Sequence, residues 1–295
     1  MSADPRLTLA RADLASVELE GTVRAARFAE PKRMRLTAPS TPLRSARDSR
    51  AEQVDQVLFG EPFDVLDADG AFAWGQAVRD GYVGWVDASS LAPSAEEEEE
   101  TPTHWVTALR TFAFASPSIK SPAFGPLSLN ALVRVTGEQG EMALAEGAGW
   151  IPQGHLTPIG AGFAEPAATA ERFLGTPYLW GGRDSVGIDC SGLIQQALYA
   201  GGLACPRDSD LQARLGAPVE RGNLARADLV FWRGHVGMML DKTRLIHANA
   251  WHMAVEIEPL AEAVERISRR GGGEPTAFRR VGILHPSPSG EGVAP

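Results

Sequence analysis

The stretch Tyr178–Gly202 constrains this chain more than any other. It reads Tyr-Leu-Trp-Gly-Gly-Arg-Asp-Ser-Val-Gly-Ile-Asp-Cys-Ser-Gly-Leu-Ile-Gln-Gln-Ala-Leu-Tyr-Ala-Gly-Gly, a glycine-rich loop running into a helix. Leu193, Ile194, Ala197 and Leu198 recur at helical spacing, so one face of the helix is buried. Gly201-Gly202 supplies the C-terminal stop. The helix is predicted to begin within a residue or two of Cys190. A thiol there faces free backbone N–H groups and the positive end of the helix dipole. Both stabilise the thiolate, which is the nucleophilic form. Asp189, Ser191 and the preceding glycines are poor core composition, which sets Cys190 apart from an ordinary buried cysteine.

A thiolate nucleophile needs a base, and the base needs a group to orient it. Downstream, three apolar runs between Ala227 and Ala248 are broken by Arg233-Gly234 and Asp241-Lys242-Thr243, which reads as an antiparallel meander. With the second turn centred on Asp241, positions i and 482 − i oppose each other, and His235 falls directly opposite His247. Any odd-numbered loop keeps the two on one face, because the side-chain period is two.

Tyr178-x-Trp180-Gly-Gly, Asp189-Cys-Ser-Gly192, Gly234-His-Val-Gly237 and Ile246-His-Ala248, in this order, resemble the NlpC-type papain-like cysteine peptidases of bacterial cell-wall peptides. The resemblance covers about residues 160–286. It implies that Cys190 attacks an amide carbonyl, that His235 is the general base and that His247 orients it. Trp180-Gly-Gly is similar to a pocket wall whose glycines let a ligand backbone approach, with Tyr178 in the same loop. Asp208 and Ser209 stand where one of them would cap a short helix ending at Gly216. In family members of the dipeptidyl-peptidase VI type, which cleave free murein peptides, an Asp-Ser pair follows the cysteine by 18 residues. The resemblance implies that this pair, with Asp189 and Ser191, binds the peptide. Cys205 is expected to pack against the helix.

Net charge is −9, which argues against nucleic acid or an anionic membrane as partner. Cys190 and Cys205 are the only cysteines, and a disulfide between them would consume the nucleophile. They also lack the close spacing of structural zinc pairs, so no metal and no cofactor is expected. No run approaches 18 apolar residues, and the N-terminal Met-Ser-Ala-Asp-Pro-Arg carries charge where a signal peptide is apolar. On that ground a cytoplasmic location is expected, with no obligate protein partner evident.

Residues 31–158 contain a repeat at an offset of 65. Phe59-Gly60 recurs as Phe124-Gly125, Gly84-Trp85-Val86 as Gly149-Trp150-Ile151, and Leu91 as Leu156. Short alternating runs lie between, with Asp69-Gly70 as a hairpin turn. Gly-Trp-Val near the end of each unit resembles bacterial SH3-like domains. The fold class expected is α+β: two small SH3-like β-barrels followed by a papain-like catalytic domain. The division is 1–30 extension, 31–93 first barrel, 94–102 acidic linker, 103–158 second barrel, 159–286 catalytic domain and 287–295 disordered tail. Within the extension, Leu14–Ala29 reads either as one helix or as an arm packed on another domain.

A residue the barrel needs should recur in both copies, and Tyr82 has Gly147 as its counterpart at this offset. Tyr82 is therefore assigned to a ligand site rather than to the barrel. In SH3-containing members of the family the first barrel supplies such a tyrosine and an acid that hold a free N-terminal amine. Glu52 and Asp55 are the candidates for the acid. The function implied is hydrolysis of the γ-D-glutamyl-L-diamino acid bond of free murein tripeptides or tetrapeptides that begin with L-Ala. The rivals are a secreted peptidoglycan endopeptidase, an acyltransferase using the same acyl-enzyme, and a non-catalytic peptidoglycan-binding protein; the intact Cys/His/His set argues against the last.

Overall fold

The computed structural model describes residues 4–94 and 101–282. Residues 95–100 of the predicted linker, residues 283–286 of the predicted catalytic domain and the predicted tail lie outside the described residues.

The N-terminal segment takes the second of its two readings and is an arm. Its short strands Ala15–Ser16 and Phe28–Ala29 pair in parallel. Leu9 and Leu14 are buried against Leu66 and Trp74. The Arg11 guanidinium lies 4.2 Å from the Trp74 ring centroid and bonds Asp67 at 2.6 Å. Val83 N donates to Arg6 O at 2.8 Å, so the arm runs against the hairpin that carries Tyr82.

The first β-unit is one antiparallel sheet of seven strands: Lys32–Leu36, Ser40–Arg44, Gln53–Leu58, Pro62–Asp69, Phe72–Ala77, Val83–Asp87 and Leu91–Pro93. Leu36, Leu43, Val57, Phe63, Ala73 and Val86 point into one core. Counted along the chain, the strands lie in the order third, second, sixth, fifth, fourth, first, seventh. The second β-unit repeats that order. Its fourth strand is interrupted between Leu132–Val133 and Val135–Gln139, which divides the sheet into two pieces around a core of Val106, Ala113, Leu127, Val133, Ala145 and Ile151.

The structure corrects the repeat alignment. Ser40–Arg44 corresponds to Arg110–Phe114, Gln53–Leu58 to Ala123–Ser128 and Phe72–Ala77 to the strand starting at Met142, an offset of 70. Gly60 therefore corresponds to Asn130, and both hold positive φ, at 76° and 67°. Phe124-Gly125 sits in a different place, within the third strand. Only Gly84-Trp85-Val86 and Leu91 keep the offset of 65. The change occurs in one hairpin: Gly75 pairs with Gly84 in the first unit and Ala145 with Gly149 in the second. Eight residues separate the first pair and three the second, so the first unit carries five extra residues there. Tyr82 lies at the end of that longer hairpin, so Gly147 is not its equivalent and the comparison of the two copies no longer bears on it; Tyr82 is in fact buried in the first unit's own core, alongside Leu36, Phe63 and Ala77.

In the catalytic domain, α1 spans Pro166–Glu171. Glu165 caps it, accepting from Ala167 N and Ala168 N. Cys190 opens α2 (Cys190–Ala200). α3 (Ser209–Gln212) ends well before Gly216, and α4 is Leu260–Arg269. An antiparallel sheet orders its strands Ala217–Pro218, Ala277–Arg280, Leu229–Trp232, His235–Met239, Arg244–Asn249 and Ala254–Pro259. Leu193, Ile194, Ala197 and Leu198 of α2 pack on Phe231, Val236, Met238, Ile246 and Ala248. Each fully buried side chain of this size stabilises by roughly 1.5–3 kcal/mol. α4 covers the opposite face through Leu260, Ala263 and Val264.

Candidate active site

Cys190 is the first residue of α2, and Asp189 is its cap. Asp189 Oδ1 accepts from Gly192 N at 2.7 Å, and Oδ2 accepts from Gly181 N at 2.9 Å. One carboxylate thus closes the glycine loop onto the helix start. Gly181 has φ +68°, and a Cβ on it would lie 2.5 Å from Gln53 O. Gly181→Ala is expected to cost about 1–3 kcal/mol or more from the backbone conformation alone, measurable as a lower Cm in urea. Cys190 shares a core cluster with Val236, the second residue of the His235–Met239 strand. It therefore sits at the head of the strand that His235 opens. Among the described residues the Cys190 N–H has no hydrogen-bond partner, so it is free to receive an oxyanion.

The histidines are brought together, but not by direct opposition. Met238 pairs with Ile246 and Met239 with Leu245, so positions i and 484 − i oppose each other. Asp241 begins the turn rather than centring it; its carboxylate accepts from Thr243 N and Arg244 N at 2.8 Å each. His247 then falls opposite Gly237, and His235 lies two residues along on the same face. His235 Nε2 and His247 Nδ1 are 2.8 Å apart. His247 Nε2 is 2.6 Å from Glu258 Oε1, and Arg266 of α4 closes on that same oxygen. Burial, with His247 and Arg266 nearby, pushes the His235 imidazole well below its ordinary value. Burial, with the Asp189 charge behind it, pushes the Cys190 thiol up to about 12. Both shifts favour the uncharged thiol and imidazole at rest over a preformed ion pair.

A cleft of about 280 Å³ opens above Cys190. Tyr178, Trp180, Asp189, Ser191, Asp208 and Ser209 line it from the catalytic domain, and Glu52 and Tyr82 from the first β-unit. Glu52 accepts from Trp180 Nε1 at 2.8 Å and has no ion-pair partner among the described residues. Asp208 occupies the cap position of α3 but makes no side-chain cap bond. Its Oδ2 accepts instead from Tyr82 Oη at 3.0 Å and from Arg6 of the arm at 2.7 Å. Asp55 is a correction. It is fully buried beneath the cleft, bonded to Arg207 at 2.5 Å and 3.3 Å from Arg183. Glu52 precedes the strand, whereas Asp55 lies within it beyond a β-bulge and turns to the buried side.

Three participants escaped the sequence reading. Arg207 bonds Asp55, both oxygens of Asp189 and Ser191 Oγ, which ties the first β-unit to the start of α2. Arg6 reaches Asp208 and Asp210 from the far end of the chain. Glu258 belongs to a strand whose acids alternate with Val255 and Ile257; that alternation was legible, but nothing local marked Glu258 off from Glu256. Cys205 is buried in the α2 core, as expected.

The NlpC/P60 family profile matches residues 175–266, and that of the bacterial dipeptidyl-peptidase SH3 domain matches residues 43–91. A gamma-D-glutamyl-L-lysine dipeptidyl-peptidase of Bacillus cereus is 29% identical over 233 residues, covering 70% of this chain and 70% of that protein. Its counterpart in Bacillus subtilis is 28% identical, covering 71% and 76%. The crystal structure of an NlpC/P60 family protein from Bacillus cereus superposes with a TM-score of 0.71 at 23% identity, covering 84% of this chain and 99% of that one. With a cysteine at a helix start and the first β-unit forming one wall of the cleft, this chain carries an NlpC/P60 cysteine-peptidase domain together with a bacterial dipeptidyl-peptidase SH3 domain.

Proposed function

We propose that this protein hydrolyses the γ-D-glutamyl-L-diamino acid bond of free murein peptides that begin with L-Ala, in the recycling of cell-wall peptides within the cytoplasm. The observation that carries this reading is the composition of the cleft. Cys190 lines it together with Tyr82, Asp208 and Glu52, a carboxylate with no ion-pair partner among the described residues. An acidic end suits a substrate ammonium, and the wall supplied by the first β-unit opposes longer or acylated N-termini. The relatives named above for a gamma-D-glutamyl-L-lysine activity support the same bond type. The second β-unit, with its matching strand order, is proposed as a second SH3-like domain that buttresses α2: Asn130 Nδ2 donates to Gln196 O at 2.9 Å.

In this mechanism His235 accepts the Cys190 proton as sulfur attacks the γ-D-glutamyl carbonyl. The Cys190 N–H stabilises the oxyanion. The imidazolium of His235 protonates the departing diamino acid, and water releases L-Ala-D-Glu from the thioester. Asp189 and Ser191 are held by Arg207 at the edge of the peptide site.

The test is cleavage of L-Ala-γ-D-Glu-diaminopimelate beside its N-acetylated form, followed by mass spectrometry. Selective cleavage of the free-amine peptide is expected. Equal cleavage of both would sink amine recognition and favour wall hydrolysis. Glu52→Gln should raise KM for the free-amine peptide about ten- to a hundred-fold, the range of a charged hydrogen bond, and leave kcat nearly unchanged. An unaltered KM would remove Glu52 from the site.

A further inference from the structure

The hydrogen-bonded chain that begins at His235 does not end at His247. Glu258 receives His247 Nε2 at 2.6 Å, and Arg266 reaches across from α4 to the same carboxylate oxygen. Glu258 is 12% exposed, and its bonds to His247 and Arg266 hold its carboxyl below the usual carboxylate range against the opposing effect of burial. It is therefore ionised near neutral pH and can only accept. His247 Nε2 must carry the proton of that bond. A neutral His247 then presents a bare Nδ1, so the 2.8 Å contact with His235 has one polarity: His235 Nε2–H donates. The remaining ring nitrogen of His235, Nδ1, is left with its lone pair.

We infer that Glu258 is a positioning residue that sets the tautomers of both histidines, and that Arg266 governs how much of the Glu258 charge the pair experiences. The inference rests on His235 being the base proposed above. The proton balance is simple. The S–H bond of Cys190 breaks, an N–H bond forms at His235 Nδ1, and no proton travels beyond that ring. The positive charge this creates on His235 is stabilised through His247 by the Glu258 carboxylate. Removing the carboxylate should penalise the imidazolium, and removing the guanidinium should favour it. The charged or titratable groups acting on the pair are His252 from the turn before the Ala254–Pro259 strand, Glu258 on that strand and Arg266 from α4; Cys190 packs from α2 on the core that holds Val236.

The experiment compares wild type, Glu258→Gln and Arg266→Gln in two assays over a range of pH: peptide cleavage, and alkylation of Cys190 by iodoacetamide. The second needs no peptide, so it reads the relay even if the proposed substrate is wrong. Glu258→Gln is expected to lower kcat about 10- to 100-fold, the usual effect of losing a group that orients a histidine ligand or base, with KM unchanged. Its acidic limb should move to lower pH in both assays. Arg266→Gln should move that limb the other way, to higher pH. Opposite movement in alkylation without cleavage would uphold the relay and overturn the substrate. Cleavage by all three proteins with unmoved limbs, or losses that merely track thermal destabilisation, would overturn the relay and leave the substrate reading intact.

Discussion

Cys190→Ala is expected to lower kcat for peptide cleavage by roughly 10⁴-fold or more, because the covalent route is lost and little remains beyond binding and the oxyanion donor. The expectation follows from placement. Cys190 is the only thiol lining the cleft, and its own N–H is unoccupied at the helix start. Cys205 is buried in the α2 core and offers no substitute. The substitution removes one sulfur from a site that already faces a cavity, so folding should survive. An unchanged circular dichroism spectrum and urea midpoint would show this. Retention of more than about a hundredth of wild-type kcat, on the same scale of effects, would mean that another group performs the attack.

The second large effect is structural. Arg183→Ala is expected to cost about 3–5 kcal/mol, the usual consequence of removing one member of a buried ion pair. Arg183 is fully buried in the glycine loop of the catalytic domain. It bonds Gln56 O at 2.8 Å and both oxygens of Glu61, at 3.0 and 2.6 Å, across the junction with the first β-unit. Without it, the buried Glu61 retains one cation, Arg79 at 2.8 Å, and the Leu58 N–H at 2.9 Å. Urea denaturation should show the loss, and KM should rise because the Glu52–Tyr82 wall is no longer fixed against the loop. In the wild type, the guanidiniums hold the Glu61 carboxyl below its ordinary value in spite of burial. A depressed folded-state pKa contributes stability above the unfolded value and loses it as pH falls through the folded one. In Arg183→Ala, burial with less compensation raises that pKa. The penalty should then be largest at neutral pH and shrink on acidification. A penalty independent of pH would assign the loss to packing instead. The double substitution Arg183→Met with Glu61→Met should recover much of the stability, since an apolar replacement of a buried pair is often neutral.

The junction also ties the two walls of the cleft together. Arg207 is 1% exposed and joins Asp55 on one side to Asp189 and Ser191 on the other. A shift of the first β-unit would therefore be felt at the residues flanking the nucleophile.

The parts of this protein that the sequence alone determined are those written in short-range patterns. The glycine loop, the start of α2 at Cys190, its buried face and its stop at Gly201 depend on spacing and capping within some 25 residues. The common face of His235 and His247 follows from strand periodicity and survives a shift of register by two. What only the tertiary structure decided are choices between residues that look alike locally. Whether Glu52 or Asp55 meets the cleft depended on how one strand docks on the glycine loop, and that docking turned Asp55 toward Arg207 and Arg183. The repeat was visible at its last strands, yet a five-residue insertion in one hairpin displaced the rest of the alignment. Glu258, Arg207 and Arg6 acquire their partners 11, 18 and 202 residues away. No local propensity encodes such contacts; they exist because burying a charge is costly unless an opposite charge arrives with it, and only the folded chain brings the two together.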